Sequence, residues 1–391
     1  MKNDYRSTIK ACYLGSVTLA IGSTLSPLLF VIFRESFSLT LEMLGRLVLI
    51  NFLTQLAADI IAIKLVPKIG LRTTLVGAHL LFAAGMIMLG VLPNIASNRY
   101  LALIISTIVF SYGAGTIEAT TSAVIDSLSS DAKASDMSLL HSIFCWGQVG
   151  VIITVTLALK VIGSRNWWWL ALLSAVLPLV NAILFARVPF APPLPEEEQL
   201  PLKKLLGNKV FVLALVLMAC AGASELAMSQ WASLFAEKGL GVSKVMGDLL
   251  GPCLFAILMG AGRLWFGLFG GKLRLERALL CCAGLCIISY LGVTLIPIPA
   301  LALVFCGLCG LSVSLMWPGM LSLCSERFHG GGSAMFALLA VFGDLGCSAG
   351  PWMTGLIADG TNLNTGLLVS IIFPVMMLVG VAIFAKKRRE K

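Results

Sequence analysis

Residues 191–204 read A-P-P-L-P-E-E-E-Q-L-P-L-K-K, and this stretch divides the chain. Four prolines and the adjacent Glu196, Glu197 and Glu198 cannot lie in hydrocarbon or continue an apolar helix, so the segment reads as a solvated linker. Taken as residues 189–208, it leaves two flanking segments of nearly equal length, 1–188 and 209–391. Both are overwhelmingly apolar.

Over all 391 residues, hydrophobic side chains make up 58% and charged ones only 12%, with a mean hydropathy of +0.96. A soluble domain carries roughly 25% charge because its surface faces water. Half that charge means that most of this surface faces something apolar. A membrane span needs about 20 apolar residues. Six runs of that size precede the linker, at 9–33, 42–63, 73–92, 100–125, 138–160 and 168–187. Six follow it, at 210–236, 247–270, 278–296, 299–324, 333–357 and 365–385. The runs 42–63 and 333–357 read as the least hydrophobic. Six helices, a linker and six helices predict an all-α integral membrane protein made of two pseudo-symmetric six-helix bundles.

The net charge of +9 raises the question of nucleic acid, and the placement of the charges excludes it. With an even number of spans, both termini and the linker share one side. That side holds 20 of the 28 Lys and Arg residues, including Lys386, Lys387, Arg388, Arg389 and Lys391 at the tail. The opposite side holds seven, and Arg263 alone is read as intramembrane. This asymmetry predicts cytosolic termini. The 11 cysteines lie almost wholly in apolar runs, where cysteine behaves as a small hydrophobe, and the lone C-x-x-C of Cys306 and Cys309 lacks the partners of a metal site. The first run is too long for a cleaved signal and reads as the first span.

The loop after the second run, L-V-P-K-I-G-L-R (Leu65 to Arg72), is similar to the G-x-L-x-D-[RK]-x-G-[RK] pattern of the major facilitator superfamily. Leu65, Lys68 and Gly70 fit, Arg72 fits one residue late, and Ile63 and Pro67 stand where glycine and aspartate are usual. The loop after the eighth run keeps Gly267 and Lys272, with Gly271 at the aspartate position. Within the superfamily the chain resembles the fucose:proton symporter branch. The resemblance is carried by R-E-S-F-S-L-T (Arg34 to Thr40), G-A-G-T-I-E (Gly113 to Glu118), L-H-S-I-F-C-W-G (Leu140 to Gly147), G-A-S-E (Gly222 to Glu225) and G-P-W-M-T-G-L-I-A-D (Gly350 to Asp359). That branch has an acid in its first helix, at a position that falls near Pro27 here, and an acid in its fourth that matches Glu118. The resemblance implies the major facilitator fold and alternating access, with a site between the bundles near mid-membrane.

An ionisable side chain at mid-bilayer costs about 2.5–3.5 kcal/mol on insertion scales, so it normally faces a cavity or a partner. Glu118 is the candidate for proton coupling, on a stripe with Ser111, Gly115, Ser122 and Asp126 at three- and four-residue spacing. Its neutral and charged forms differ in cost, which would couple a proton to helix rearrangement. Substrate contact is assigned to His141 and Gln148 in the fifth run, Glu225 and Trp231 in the seventh, Trp317 in the tenth and Asp344 in the eleventh. The two tryptophans offer apolar faces for a sugar ring. Asp59 and Arg263 each lie eight residues before the matching loop positions, Pro67 and Gly271, and so read as an equivalent pair of gating charges. Asp126 and Glu118 are the candidate partners of Arg263. Close glycines (Gly260 with Gly262, Gly307 with Gly310, Gly346 with Gly350) predict tight helix contacts.

These readings lead to a secondary transporter of a small neutral polar solute, sugar or sugar-like, with proton symport. The alternatives are a proton-coupled drug or metabolite efflux antiporter and a non-transporting sensor. Efflux relatives carry a glycine–proline signature in the fifth helix, and the run after Gly147 has no proline. No nucleophile–base set and no Walker-type loop points to an enzyme. No cofactor is expected beyond a coupling proton, or sodium in its place. The expected partners are the solute and the lipid bilayer, with no nucleic acid, for a monomer in a bacterial inner membrane.

Overall fold

The computed structural model describes residues 5–127, 133–190, 205–269, 274–328 and 332–389. Twelve helices among them are long and apolar enough to cross a bilayer. They are α1 (Arg6–Leu28), α2 (Leu41–Ala62), α3 (Leu71–Ile95), α4 (Arg99–Thr121), α5 (Leu140–Ile162) and α6 (Trp168–Arg187), then α7 (Lys209–Gly239), α8 (Lys244–Phe266), α9 (Leu275–Leu295), α10 (Pro299–Arg327), α11 (Met335–Gly360) and α12 (Leu363–Lys386). All twelve coincide with the expected runs to within a few residues. The least apolar is α1, followed by α11 and then α2, so the expectation that runs two and eleven were the weakest missed the first. The chain forms two compact units that meet in sequence at Leu194 and Pro195. Most of the linker, residues 191–204, lies outside the described residues, as does the loop 270–273.

Each unit repeats one pattern of helix pairs. In the first, α1 packs on α5, α2 on α4 and α3 on α6; in the second, α7 packs on α11, α8 on α10 and α9 on α12. Hydrocarbon supplies no hydrophobic drive between helices, so small residues that admit backbone contact set these pairs. A Cβ added at Gly115 would meet the backbone of Gln55 in α2, and one at Gly113 the backbone of Ala78 and Phe82 in α3. In the second unit Gly222 lies against Gly343, Gly346 against the Ala219 carbonyl and Gly350 against Ala223, which closes α7 onto α11 along three turns. Gly310 meets Phe255 and Gly307 meets Leu254 in the same way between α10 and α8.

Three spans are interrupted three or four residues before a proline; α7 is interrupted as well, at Gln230–Trp231, without one. A helical proline has no N–H and its ring displaces the carbonyl four residues earlier. Pro178, Pro318 and Pro374 sit four residues after Ser174, Ser314 and Ser370, and the helix is interrupted at Ala175, at Ser314–Leu315 and at Ser370–Ile371. The serines re-satisfy local acceptors, Ser314 Oγ donating to Leu311 O at 2.7 Å and Ser370 Oγ to Gly366 O at 3.0 Å.

Beyond the apolar span the helix of α2 runs on to Ile69, so its turn into α3 is a single residue. Gly70 takes φ +84, a conformation that a side chain would strain, and its N–H closes α2 on Val66 O. Just beyond it Arg72 reaches the last carbonyls of α6: Nη1 donates to Phe185 O (3.3 Å) and Ala186 O (2.5 Å), and Nη2 to Val188 O (2.9 Å). Its guanidinium also lies 5.2 Å over the Phe190 ring. In the second unit Arg327 plays the matching part, donating to Phe384 O at 3.0 Å and lying 4.7 Å over that ring. Cations at helix C-termini answer both the orphan carbonyls and the helix dipole.

Candidate functional site

In the first unit, the expected stripe on α4 divides. Ser111 is fully buried and its Oγ donates to Asn51 Oδ1 at 2.5 Å, while Gln55 Nε2 donates to the same oxygen at 3.0 Å. With Gly115 against Gln55, this part of the stripe is the packing face toward α2. Glu118 turns elsewhere and is exposed, although Ile117, Thr120 and Thr121 around it are buried. An ionisable group in an apolar span normally faces the bundle interior or a water-filled cavity rather than acyl chains. The side chains of Ser122 and Asp126 lie outside the described residues.

His141 stands at the start of α5 and is exposed, a surface residue rather than a buried relay. Gln148, two turns deeper, is half-buried, and its Oε1 is a buried acceptor with no hydrogen-bond partner among the described residues. Asp59 is half-buried on α2. A polar knot that the sequence reading missed joins three spans. His79 in α3 and Asn181 in α6 are both fully buried; Asn181 Nδ2 lies 2.9 Å from His79 Nε2 and donates to Ala11 O of α1 at 3.1 Å. His79 Nδ1 sits 2.7 Å from Leu75 O. These contacts fit the neutral ring with its proton on Nδ1, which leaves Nε2 to accept, while Asn181 Oδ1 is a buried acceptor with no hydrogen-bond partner among the described residues. A histidine and an asparagine inside apolar runs were the signal.

In the second unit, Arg263 in α8 has a definite partner in Glu225 of α7, which was not among the partners expected for it. Nη2 and Oε2 are 3.0 Å apart, with side-chain exposures of 13% and 12%. Glu225, expected among the solute contacts, is therefore engaged with a charge in its own bundle. One residue before it, Tyr290 donates to Ser224 O at 2.8 Å. Trp231 is fully buried and its Nε1 donates to Pro351 O of α11 at 3.0 Å. That is at odds with its reading as a stacking platform, since the ring is fully covered in this structure. Trp317 is half-buried with its ring edge against Gly343, and Asp344, next to that glycine, is also half-buried.

A second missed cluster closes the turn of the α7–α8 hairpin. Asp248 is fully buried; its Oδ1 accepts from Ser233 Oγ at 2.5 Å and from Lys244 Nζ at 3.0 Å, and Lys244 also reaches Ser233 Oγ at 2.9 Å. Lys and Asp at four-residue spacing were the legible part.

Two bundles of six helices with matching pairings, each carrying polar groups in its interior, form the setting for the family comparison. The family model described as Major Facilitator Superfamily matches residues 12–351. The chain belongs to the major facilitator superfamily. It is thus a multi-pass membrane transporter for a small molecule. Among solved structures it is similar to a D-xylose-proton symporter, at 14% identity over 97% of this chain and 96% of that one, with a TM-score of 0.79. A bacterial homologue of the human lysosomal transporter Spinster matches at 14% identity, TM-score 0.75, covering 99% and 98% of the two chains. The fucose:proton symporter of E. coli matches at 14% identity, TM-score 0.68, covering 98% and 99%. At such identities these likenesses establish the fold, and no curated protein matches the chain.

Proposed function

We propose that the chain is a secondary active transporter that carries a small, polar, sugar-like solute by alternating access, in symport with a proton. The observation that carries this reading is Glu118: an exposed carboxylate on an otherwise buried stretch of α4 in an apolar span. Such a group takes and releases a proton across a change in its surroundings, which is what coupling requires. Gln148 supports the solute class. Its unmet buried acceptor costs about 1–3 kcal/mol, and a solute hydroxyl donating to Oε1 would relieve that cost. Trp317 and Asp344, both half-buried, complete the proposed contacts. Two of the similar folds belong to a D-xylose-proton and a fucose:proton symporter, which agrees with the reading. The placement of the 28 basic residues supports cytosolic termini, and a monomer in a bacterial inner membrane is the proposed setting.

The test is uptake of a labelled panel of sugars and sugar acids into proteoliposomes, with and without an inward proton gradient. Gradient-stimulated uptake that Glu118→Gln abolishes is the expected result. Full proton dependence in that variant would remove the coupling role from Glu118. Absence of uptake across the panel by folded protein would overturn the symport reading in favour of efflux or sensing.

A further inference from the structure

Three ion pairs among the described residues differ in what they can do. Glu42 and Arg46 lie one turn apart on α2, and the arginine side chain is 50% exposed. Such a pair is surface decoration. Lys244–Asp248 is a closed lock, its carboxylate 0% exposed and shared with a hydroxyl. Arg263–Glu225 is neither. It links two spans through residues 38 apart in sequence, holds the one basic residue read as intramembrane, and keeps about an eighth of each side chain open. Arginine near a helix end normally extends its charge toward the nearer interface. Arg263 instead holds its guanidinium on a carboxylate some 16 residues, about 24 Å, along α7 from Lys209.

We propose that Arg263 is the recognition point for a single negative charge on the solute, a sugar-like carboxylic acid, and that Glu225 yields Arg263 to it by taking up a proton. The proposal rests on the proton-symport reading above and narrows its solute from neutral to monoanionic. A neutral hydroxyl competes poorly for a guanidinium already bound to a carboxylate, because hydrogen bonds between charged partners are roughly twice as strong. Another carboxylate replaces Glu225 on equal terms. Charge then fixes the rest. The resting pair is neutral; a proton alone would leave Arg263 uncompensated, and an anion alone would leave Glu225 uncompensated. Proton and anion together give a neutral carboxyl at Glu225 and a new pair at Arg263, with the total unchanged. In a low-dielectric interior that sum favours joint binding over either partner by itself. Away from the helix ends, the other ionisable groups on α7 to α11 are Cys220 on α7, Cys253 on α8, Cys281, Cys282, Cys286 and Tyr290 on α9, Cys306 and Cys309 on α10, and Asp344 and Cys347 on α11. Asp344 is the one carboxylic acid among these, and it is the rival proton acceptor.

The experiment measures flux and current together in proteoliposomes, with D-gluconate, D-glucuronate, D-glucose and L-fucose as probes. The acids are expected to be carried and the neutral sugars not. Glu225→Gln is expected to remove one proton per solute, seen as a reversal potential shifted by one charge per cycle. Arg263→Gln is expected to lower acid uptake at least 100-fold, and Arg263→Lys to restore part of it. Because Arg263→Gln leaves Glu225 without its cation, the double variant Arg263→Gln/Glu225→Gln serves as the folded control and should still fail to bind gluconate. Proton-driven uptake of a neutral sugar, with acids rejected, would overturn the proposal while leaving the symporter standing. Unchanged proton stoichiometry in Glu225→Gln would overturn it too, and would move the exchange to Asp344. No uptake of any probe would sink both readings.

Discussion

The two units share a pattern of helix pairs but satisfy their interior polar groups by different chemistry. The first uses neutral groups: Asn51 gathers Gln55 and Ser111, and Asn181 joins His79 to the Ala11 carbonyl. Among the described residues its one acid in the middle of α4, Glu118, is exposed. The second unit uses charge, pairing Glu225 with Arg263 and Asp248 with Lys244. Neutral networks have a narrow range of states, since losing a member costs the desolvation of what remains and little else. Ion pairs have a second state, because either partner can be exchanged for another charge or neutralised by a proton. The comparison teaches where exchange chemistry can reside: in the second unit's pairs and at Glu118, and not in the first unit's amide knots.

The contrast breaks most visibly at Glu225. Replacing it by alanine leaves the Arg263 charge uncompensated, with an expected loss of about 3–5 kcal/mol, read as the largest fall in thermal unfolding midpoint of the purified protein. A fall no greater than that of the asparagine variant below would erase the difference between the units. Next is Gly346→Val, whose added Cβ meets the Ala219 carbonyl and forces α7 and α11 apart; overpacking of this kind costs about 1–3 kcal/mol. Its effect on α7 should also slow transport, since the span that carries Glu225 shifts. Asn51→Leu removes the oxygen shared by Gln55 and Ser111 and should cost about 1–3 kcal/mol, with transport coupling per cycle unchanged. A change in coupling there would make the first unit's network part of the mechanism. The smallest effect belongs to Glu42→Ala, which deletes the exposed one-turn pair with Arg46; it should stay within about 0.5 kcal/mol, and a larger loss would show that exposure alone does not rank these pairs.

What could be read without coordinates follows the same division. Spans are set by some twenty residues of composition each, so all twelve were legible, and the prolines and glutamates of 191–204 marked the division into units. The faces were harder. Periodicity placed Ser111, Gly115 and Glu118 on one stripe, but α2 claims the first two and leaves the third open, because a stripe says nothing about which neighbour covers it. Pairing was hardest. The identity of the Arg263 partner is a contact between α7 and α8, and nothing in local spacing distinguishes Glu225 from Asp126 or Glu118. Trp231 failed for a related reason: the indole N–H had found Pro351 O, an acceptor supplied by the α11 backbone and invisible to side-chain reasoning. The three breaks ahead of a proline, by contrast, were available in the serine four residues before each of Pro178, Pro318 and Pro374.

The arginine clamps at the ends of α6 and α12 also order events during synthesis. Arg72 is made long before its acceptors: Phe185, Ala186 and Val188 follow it by 113, 114 and 116 residues. Until the sixth helix has been threaded into the bilayer, that guanidinium has no carbonyls to close on, so the first bundle is latched only when its last member arrives. Arg327 waits just 57 residues for Phe384. The nascent first bundle therefore spends longer unlatched than the second, and that interval is where a membrane chaperone has the most to protect.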